Sequence, residues 1–254
     1  MKLPGFRCFL LVVILYGTTQ VLPFSASAQP IRFDAKLIGV VSDPSSPGVL
    51  YASSVGGILR SDNSGQTWVQ IPVYPLGEQQ PSFQPVLFDY ANPSTIYAYV
   101  RGGIAGNLAG AWRSHDRGAH WERIVDETSF AADSKLEAIL VAPSNGSVLY
   151  ANTTLNGASR IYRSDNGGST WSYKGEGLIR AVSPASSETV YQASNGSVHR
   201  SANGGQSWTT VGTIRNTTGS LDGIAGLAIS PGNPNLMLAT MSGPIPPQMA
   251  SSVP

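Results

Sequence analysis

Cysteine is almost missing from this sequence. Its 254 residues hold one, Cys8. That residue lies in the first 28 positions, which read as a removable leader. The chain beyond them can form no disulfide and has no thiol nucleophile. Charge is scarce as well. Asp, Glu, Lys and Arg make up 12% of the chain, against ~25% in ordinary soluble domains. Setting aside Lys2 and Arg7 leaves 14 basic residues against 15 acidic, a net charge of −1. That balance gives no electrostatic case for nucleic acid or an anionic membrane surface. After residue 28 there is no sustained helical periodicity and no apolar run near the ~20 residues that cross a bilayer. A Gly-rich phosphate loop ending in Lys-Ser/Thr is missing, as is a G-x-S-x-G elbow. What the chain has in quantity is Gly (28) and Pro (18), as short strands joined by tight turns require.

The first 28 residues have the anatomy of a signal peptide. Lys2 and Arg7 form a basic start, Phe9–Tyr16 is apolar throughout, and Ala26-Ser27-Ala28 suits signal cleavage. Cleavage after Ala28 predicts a secreted or periplasmic protein. An uncleaved anchor is the alternative. Cys8 precedes the apolar run, whereas a lipid-attachment cysteine would follow it.

Four stretches share one pattern. Arg60–Trp68 is RSDNSGQTW, Arg113–Trp121 is RSHDRGAHW, Arg163–Trp171 is RSDNGGSTW and Arg200–Trp208 is RSANGGQSW. The shared form is R-S-x-[DN]-x-G-x-x-W. Four copies with the same internal offsets mark a repeat architecture. The residue types predict a tight turn between two strands. Asn63, Asp116, Asn166 and Asn203 can fold their side chains onto turn amides. Gly65, Gly118, Gly168 and Gly205 can take a positive φ. Ser61, Ser114, Ser164 and Ser201 are placed to hydrogen-bond inside the hairpin. Trp68, Trp121, Trp171 and Trp208 then open the outgoing strand and serve as buried anchors between sheets.

Two more elements precede each turn. One is an apolar strand running into a Pro-containing turn, as in LIGVVSDP (37–44) and EAILVAP (137–143). The other is a strand around a Tyr, as in VLYA (49–52) and IYAY (96–99). The repeat is thus four strands in ~40–50 residues, the size of one propeller blade. Four units start near residues 37, 85, 137 and 178. A fifth starts near Gly223 and supplies only its first two strands. The domain plan is a signal peptide at 1–28, blades at 29–240, and a loop or disordered tail at 241–254. An incomplete or open ring is the preferred reading. The competing one has Ile31–Lys36 lend an outer strand and close a five-blade ring.

The S-x-[DN]-x-G-x-x-W element resembles the Asp-box, or BNR repeat, of sialidases, xyloglucan-degrading glycoside hydrolases, sortilin-type receptors and photosystem II assembly factors. The resemblance covers nearly all of the chain after the leader. It implies an all-β propeller whose Asp-box hairpins join the third and fourth strands of each blade, away from the ligand face. It does not select an activity, because the fold hosts unrelated ones.

By the same resemblance, ligands meet the loops between strands two and three and between blades. Those loops hold Arg101, Asp126, Glu127, Asp133, Arg160, Glu176 and Asp222, which are candidate ligand-face residues, though the plainer and preferred reading is that they are solvated loop groups. Sialidase chemistry finds little support. Arg32 is not followed by Ile-Pro, and Arg180 has no second and third inner-strand arginine beside it. The xyloglucanase type is closer in texture. Its early Y-A-R-T-D-x-G-G segment carries a catalytic Asp, and Tyr51-Ala52-Ser53-Ser54-Val55-Gly56-Gly57 places Ser54 there. Glycoside hydrolysis needs two carboxyl groups, so the reading leans away from an enzyme. The expectation is a non-catalytic module that binds a glycan or an extracytoplasmic protein, with no cofactor and no metal. His115, His120 and His199 read as turn residues, since no third metal ligand is in sight. A glycoside hydrolase, or a truncated remnant of one, is the alternative. The unfinished fifth unit also predicts self-association through an open sheet edge.

Overall fold

The computed structural model describes residues 37–54, 57–71, 83–100, 110–126, 129–132, 134–194, 197–213 and 224–241. The expected leader, Ile31–Lys36 and the residues after Met241 lie outside them, as do Arg101, Glu127, Asp133 and Asp222. The described residues are all-β and contain no helix, hence none long and apolar enough to cross a membrane.

Among the described residues, eighteen strands form four four-stranded sheets and one pair. The first sheet is β1 (Leu37–Ser42), β2 (Leu50–Ser54), β3 (Gly57–Ser61) and β4 (Val69–Ile71). The second is β5 (Leu87–Phe88), β6 (Ile96–Val100), β7 (Gly110–Ser114) and β8 (Glu122–Val125). The third is β9 (Lys135–Ala142), β10 (Asn145–Leu155), β11 (Ala158–Ser164) and β12 (Ser172–Glu176). The fourth is β13 (Ile179–Ser183), β14 (Ser186–Ser194), β15 (Ser197–Ser201) and β16 (Thr209–Thr213). The pair is β17 (Ile224–Ile229) with β18 (Met237–Met241). Each sheet is an antiparallel meander in chain order.

Packing explains why the second strands read as apolar on both faces. Each interior sheet is covered by a neighbour on either side, so strict polar alternation would leave buried polar groups. Tyr51, Ile58 and Ile71 of the first sheet pack with Phe88, Ile96, Ala98 and Trp112 of the second. Ala111 and Val125 of the second meet Leu136, Ile139, Ala151 and Tyr162 of the third. Tyr150 and Ile161 then meet Ile179, Val182 and Val190 of the fourth. Tyr191 and Val198 meet Ile224, Leu227 and Met237 of the pair.

The four tryptophans depart from the expected picture. Each outgoing strand starts one residue after its Trp, and the rings are half-buried. Trp68 and Trp121 instead turn the indole N–H back onto the Gly65 and Gly118 carbonyls, both at 3.0 Å. Trp121, Trp171 and Trp208 each cap the core formed with the preceding sheet. They act as lids on the seams, with one edge in water, which suits an amphipathic ring.

Arg160 and Glu176, expected in loops, lie on strands. Residues 152–160 continue β10 and β11 as far as a two-residue turn, Asn156 (φ 50) and Gly157 (φ 81). That is the Asn-Gly signature of a type I′ hairpin, whose twist matches its flanking strands. Lys174–Glu176 belongs to β12. Arg160 and Glu176 are therefore ladder partners on neighbouring strands and not loop residues.

Candidate functional site

Chemistry-bearing residues collect at two opposite ends of the sheets. At one end lie the four R-S-x-[DN]-x-G-x-x-W turns, each built around a serine hydroxyl 1% exposed. Ser164 Oγ accepts from Gly168 N at 2.8 Å and Asn166 N at 3.3 Å, and donates to Asn166 Oδ1 at 2.9 Å. Asn166 Oδ1 also accepts from Thr170 N at 2.9 Å. Ser61, Ser114 and Ser201 repeat the arrangement, with the glycine amide at 2.9, 2.7 and 2.8 Å. The hydroxyl thus satisfies two amides that the sharp turn leaves without backbone partners. Two consecutive residues have positive φ: Ser64 and Gly65, Arg117 and Gly118, Gly167 and Gly168, Gly204 and Gly205. These Ser and Asx side chains are hydrogen-bonded within the turn itself, with the serine hydroxyls buried.

The second turn carries a carboxylate where the other three carry Asn. His120 Nδ1 and Asp116 Oδ2 are 2.5 Å apart, and the His120 amide donates to Asp116 Oδ1 at 2.8 Å. Bonding from the His120 side chain and then its amide lowers the Asp116 carboxyl to about 2. A lowered folded-state value stabilises the fold above the ordinary carboxylate range, and that part is lost as pH falls through about 2. Thermal melts between pH 7 and pH 2 should therefore show acid destabilisation that Asp116→Asn reduces. Equal acid sensitivity in both proteins would contradict this assignment. His115 faces Thr95 Oγ1 and Glu122 Oε1, each at 3.2 Å.

The opposite end carries the hairpins between second and third strands. Ser54 is 3% exposed, and its hydroxyl donates to Gly57 O at 3.0 Å. Asn152 is 2% exposed and clamps two sheets together. Its Nδ2 donates to Ile179 O at 2.8 Å and its Oδ1 accepts from Ile179 N at 3.0 Å. Arg160 lies over the half-exposed ring of Tyr173, 5.8 Å from its centroid. Among the described residues, its Nε and the Thr153 hydroxyl opposite it on β10 are buried without hydrogen-bond partners. Arg180 on the inner strand β13 has, among the same residues, a buried Nε without a partner. Glu176 is exposed at the end of β12. Asp126 is exposed, and its Oδ1 accepts from Ser129 Oγ at 2.9 Å. Of the seven candidate ligand-face residues, Arg160 and Glu176 are brought onto one sheet face, while Asp126 stands on the neighbouring connection. Among the described residues no three His, Cys, Asp or Glu side chains group as metal ligands.

The residues that sequence reading missed lie on the sheet seams. Tyr51–Arg60, Tyr97–Arg113, Tyr150–Arg163 and Tyr191–Arg200 are ladder partners on second and third strands. In the third sheet, Tyr150 donates to Ser187 O of the fourth at 2.7 Å. Arg163 is ion-paired with Asp165 and with Glu188 of the fourth sheet. Burial pushes the Tyr97 and Tyr150 hydroxyls up to about 12, so they remain donors at any working pH.

No family model matches the chain. It is similar to a xyloglucanase from a Paenibacillus species, 25% identical over 221 residues. That match covers 74% of this chain and 21% of the relative, so the chain spans about a fifth of that enzyme. Among solved structures, a GH74 enzyme from Niastella koreensis matches with a TM-score of 0.58 at 20% identity, over 79% of this chain and 34% of that one. An ancestral GH74 enzyme matches with a TM-score of 0.59 at 21% identity, over 81% and 27%. YCF48 from Cyanidioschyzon merolae matches with a TM-score of 0.50 at 17% identity, over 84% and 66%. The likenesses concern the fold: four-stranded antiparallel sheets arranged as in β-propellers.

Proposed function

We propose that this chain is an exported segment of an Asp-box propeller, four blades and part of a fifth, that binds a xyloglucan-type β-glucan without cleaving it. The glycan meets the end that carries the strand-two to strand-three hairpins, where Arg160, Tyr173 and Glu176 offer a cation, an aromatic face and a carboxylate. Similarity to a xyloglucanase supports the glycan class. The observation that carries the non-catalytic reading is Ser54. By the resemblance, aligned on the Gly56-Gly57 pair, Ser54 falls where xyloglucan-degrading enzymes carry their catalytic Asp, and its hydroxyl is buried and committed to Gly57 O. A two-carboxylate hydrolysis has no acid or base there.

Titrating xyloglucan oligosaccharides into the protein by calorimetry, with a parallel assay for new reducing ends, tests this. The expected result is saturable binding, weakened by Tyr173→Ala, and no turnover. A hydrolase is the second reading, resting on the similarity to a xyloglucanase. Release of reducing ends that disappears in Glu176→Gln would establish that reading and overturn ours. Failure to bind xyloglucan at all would also overturn it.

A further inference from the structure

An Asn followed by Gly is a place where a chain can attack itself. Glycine has no Cβ, so its amide nitrogen can swing onto the side-chain carbonyl of the Asn before it. The reaction needs a free amide nitrogen, an Asn side chain that no turn holds, and room for the backbone to rotate. The sequence has five Asn-Gly pairs, starting at 145, 156, 166, 195 and 203. Asn195-Gly196 lies outside the described residues. Three of the other four are restrained. The Gly167 amide donates to Ser147 O at 2.8 Å. Asn166 Oδ1 accepts from Thr170 N and its Nδ2 donates to Thr170 Oγ1, both at 2.9 Å. Asn203-Gly204 repeats this, with the Gly204 amide on Glu188 O at 2.8 Å and the Asn203 side chain held by Ser207 N and Oγ at 2.9 Å. Asn145 Oδ1 accepts from Ser147 N at 3.1 Å. Gly146 after it is buried, its carbonyl accepts from the Tyr97 hydroxyl at 3.2 Å, and a Cβ there would collide with the Asp89 carboxyl.

Asn156-Gly157 has none of these restraints. Both residues are exposed at the tip of the β10–β11 hairpin, whereas Gly146, Gly167 and Gly204 are buried. Among the described residues, neither the Asn156 side chain nor the Gly157 amide has a hydrogen-bond partner. A Cβ added at Gly157 would meet nothing within 4 Å. The ladder ends at Leu155–Ala158, so the two tip residues can rotate without breaking the pairs below them.

We propose that Asn156-Gly157 is a site of spontaneous modification, at which the folded chain converts Asn156 to isoaspartate and aspartate. The Gly157 nitrogen loses its proton to solvent and bonds to Asn156 Cγ. The Cγ–Nδ2 bond breaks, and the amide leaves as ammonia after taking a proton from solvent. A succinimide ring remains. Water then opens the ring at one of its two carbonyls. Opening at the main-chain carbonyl leaves isoaspartate, with the chain running through Cβ and Cγ. Opening at the side-chain carbonyl leaves aspartate. Nothing is oxidised or reduced. Isoaspartate adds a main-chain carbon to a two-residue turn. Both products add a negative charge at the end of the sheets where Arg160 and Glu176 stand. The inference is independent of what that end binds.

The test holds the folded full chain in mildly alkaline buffer and samples it over time. Peptide mapping by mass spectrometry with electron-transfer fragmentation separates isoaspartate from aspartate at each site. Asn156 should convert first, with isoaspartate as the larger product. Asn166 and Asn203 should lag by more than about tenfold, because each ~1.4 kcal/mol needed to open a turn slows its reaction by that factor. In urea, where no turn remains, all four pairs should convert at comparable rates. Gly157→Ala should slow Asn156, since the methyl group crowds the attacking nitrogen, and leave Asn145 unchanged. Asn166 or Asn203 converting as fast as Asn156 in the folded protein would overturn the proposal. So would an Asn156 that converts in urea but not in the folded chain. Aspartate without isoaspartate would overturn it as well, because water and not Gly157 would then be the attacking group.

Discussion

Gly168→Val should lower the stability of the protein by about 2–6 kcal/mol, adding backbone strain to overpacking. Gly168 has φ +95, a region that β-branched residues avoid. A Cβ there would stand 2.7 Å from Ile124 Cδ1 of the preceding sheet. The turn can relax neither way. Its amide is held by the buried Ser164 hydroxyl, and Ile124 packs against the seam between the second and third sheets. Gly157→Ala provides the control. Gly157 has φ +81, and nothing lies within 4 Å of an added Cβ. It should cost only the left-handed backbone term, about 1–2 kcal/mol. Urea unfolding of both variants checks the pair. Equal losses would show that the Gly168 turn is not seated on the neighbouring sheet.

Tyr150→Ala should cost about 3–5 kcal/mol, the range for truncating a buried aromatic ring. The ring is 0% exposed and sits with Ile161, Ile179 and Val190 where two sheets meet. Tyr150→Phe separates packing from bonding. It keeps the ring and removes only the hydroxyl that donates to Ser187 O and accepts from Arg163 at 3.3 Å. Losing that hydroxyl should cost about 0.5–1.5 kcal/mol. A Phe variant as damaged as the Ala variant would move the energy of this seam from apolar burial to the polar strap.

The turns and the four-strand repeat were legible because both are local. A Ser, an Asx and a Gly at fixed offsets close one hairpin with their own atoms, and that pattern survives in one dimension. The Tyr–Arg pairs were not legible. Each Tyr precedes its Arg by 9, 16, 13 or 9 positions, because the hairpin between them varies in length, so no constant spacing exposes the pair. Only strand register brings them opposite one another. The tryptophans are less buried than their type suggests for a related reason. Their type announces burial, but the turn lifts them onto the edge of a seam. The strands around Asn156-Gly157 could have been found, since Asn-Gly between strand-forming residues is a hairpin signal. The proposed ligand end was the least readable. Arg160 and Glu176 are 16 positions apart and become neighbours only through the pairing of β11 with β12.

One end of the sheets holds the turns that join them, and the opposite end is the proposed ligand face. Hydrogen exchange with and without a xyloglucan oligosaccharide tests that division most directly. Added protection should fall on the Leu155–Ala158 hairpin, the end of β12 around Tyr173–Glu176, and the connection at Asp126–Ser129, with the four R-S-x-[DN]-x-G-x-x-W turns unchanged. Protection concentrated on those turns, with the hairpin end unaffected, would contradict it.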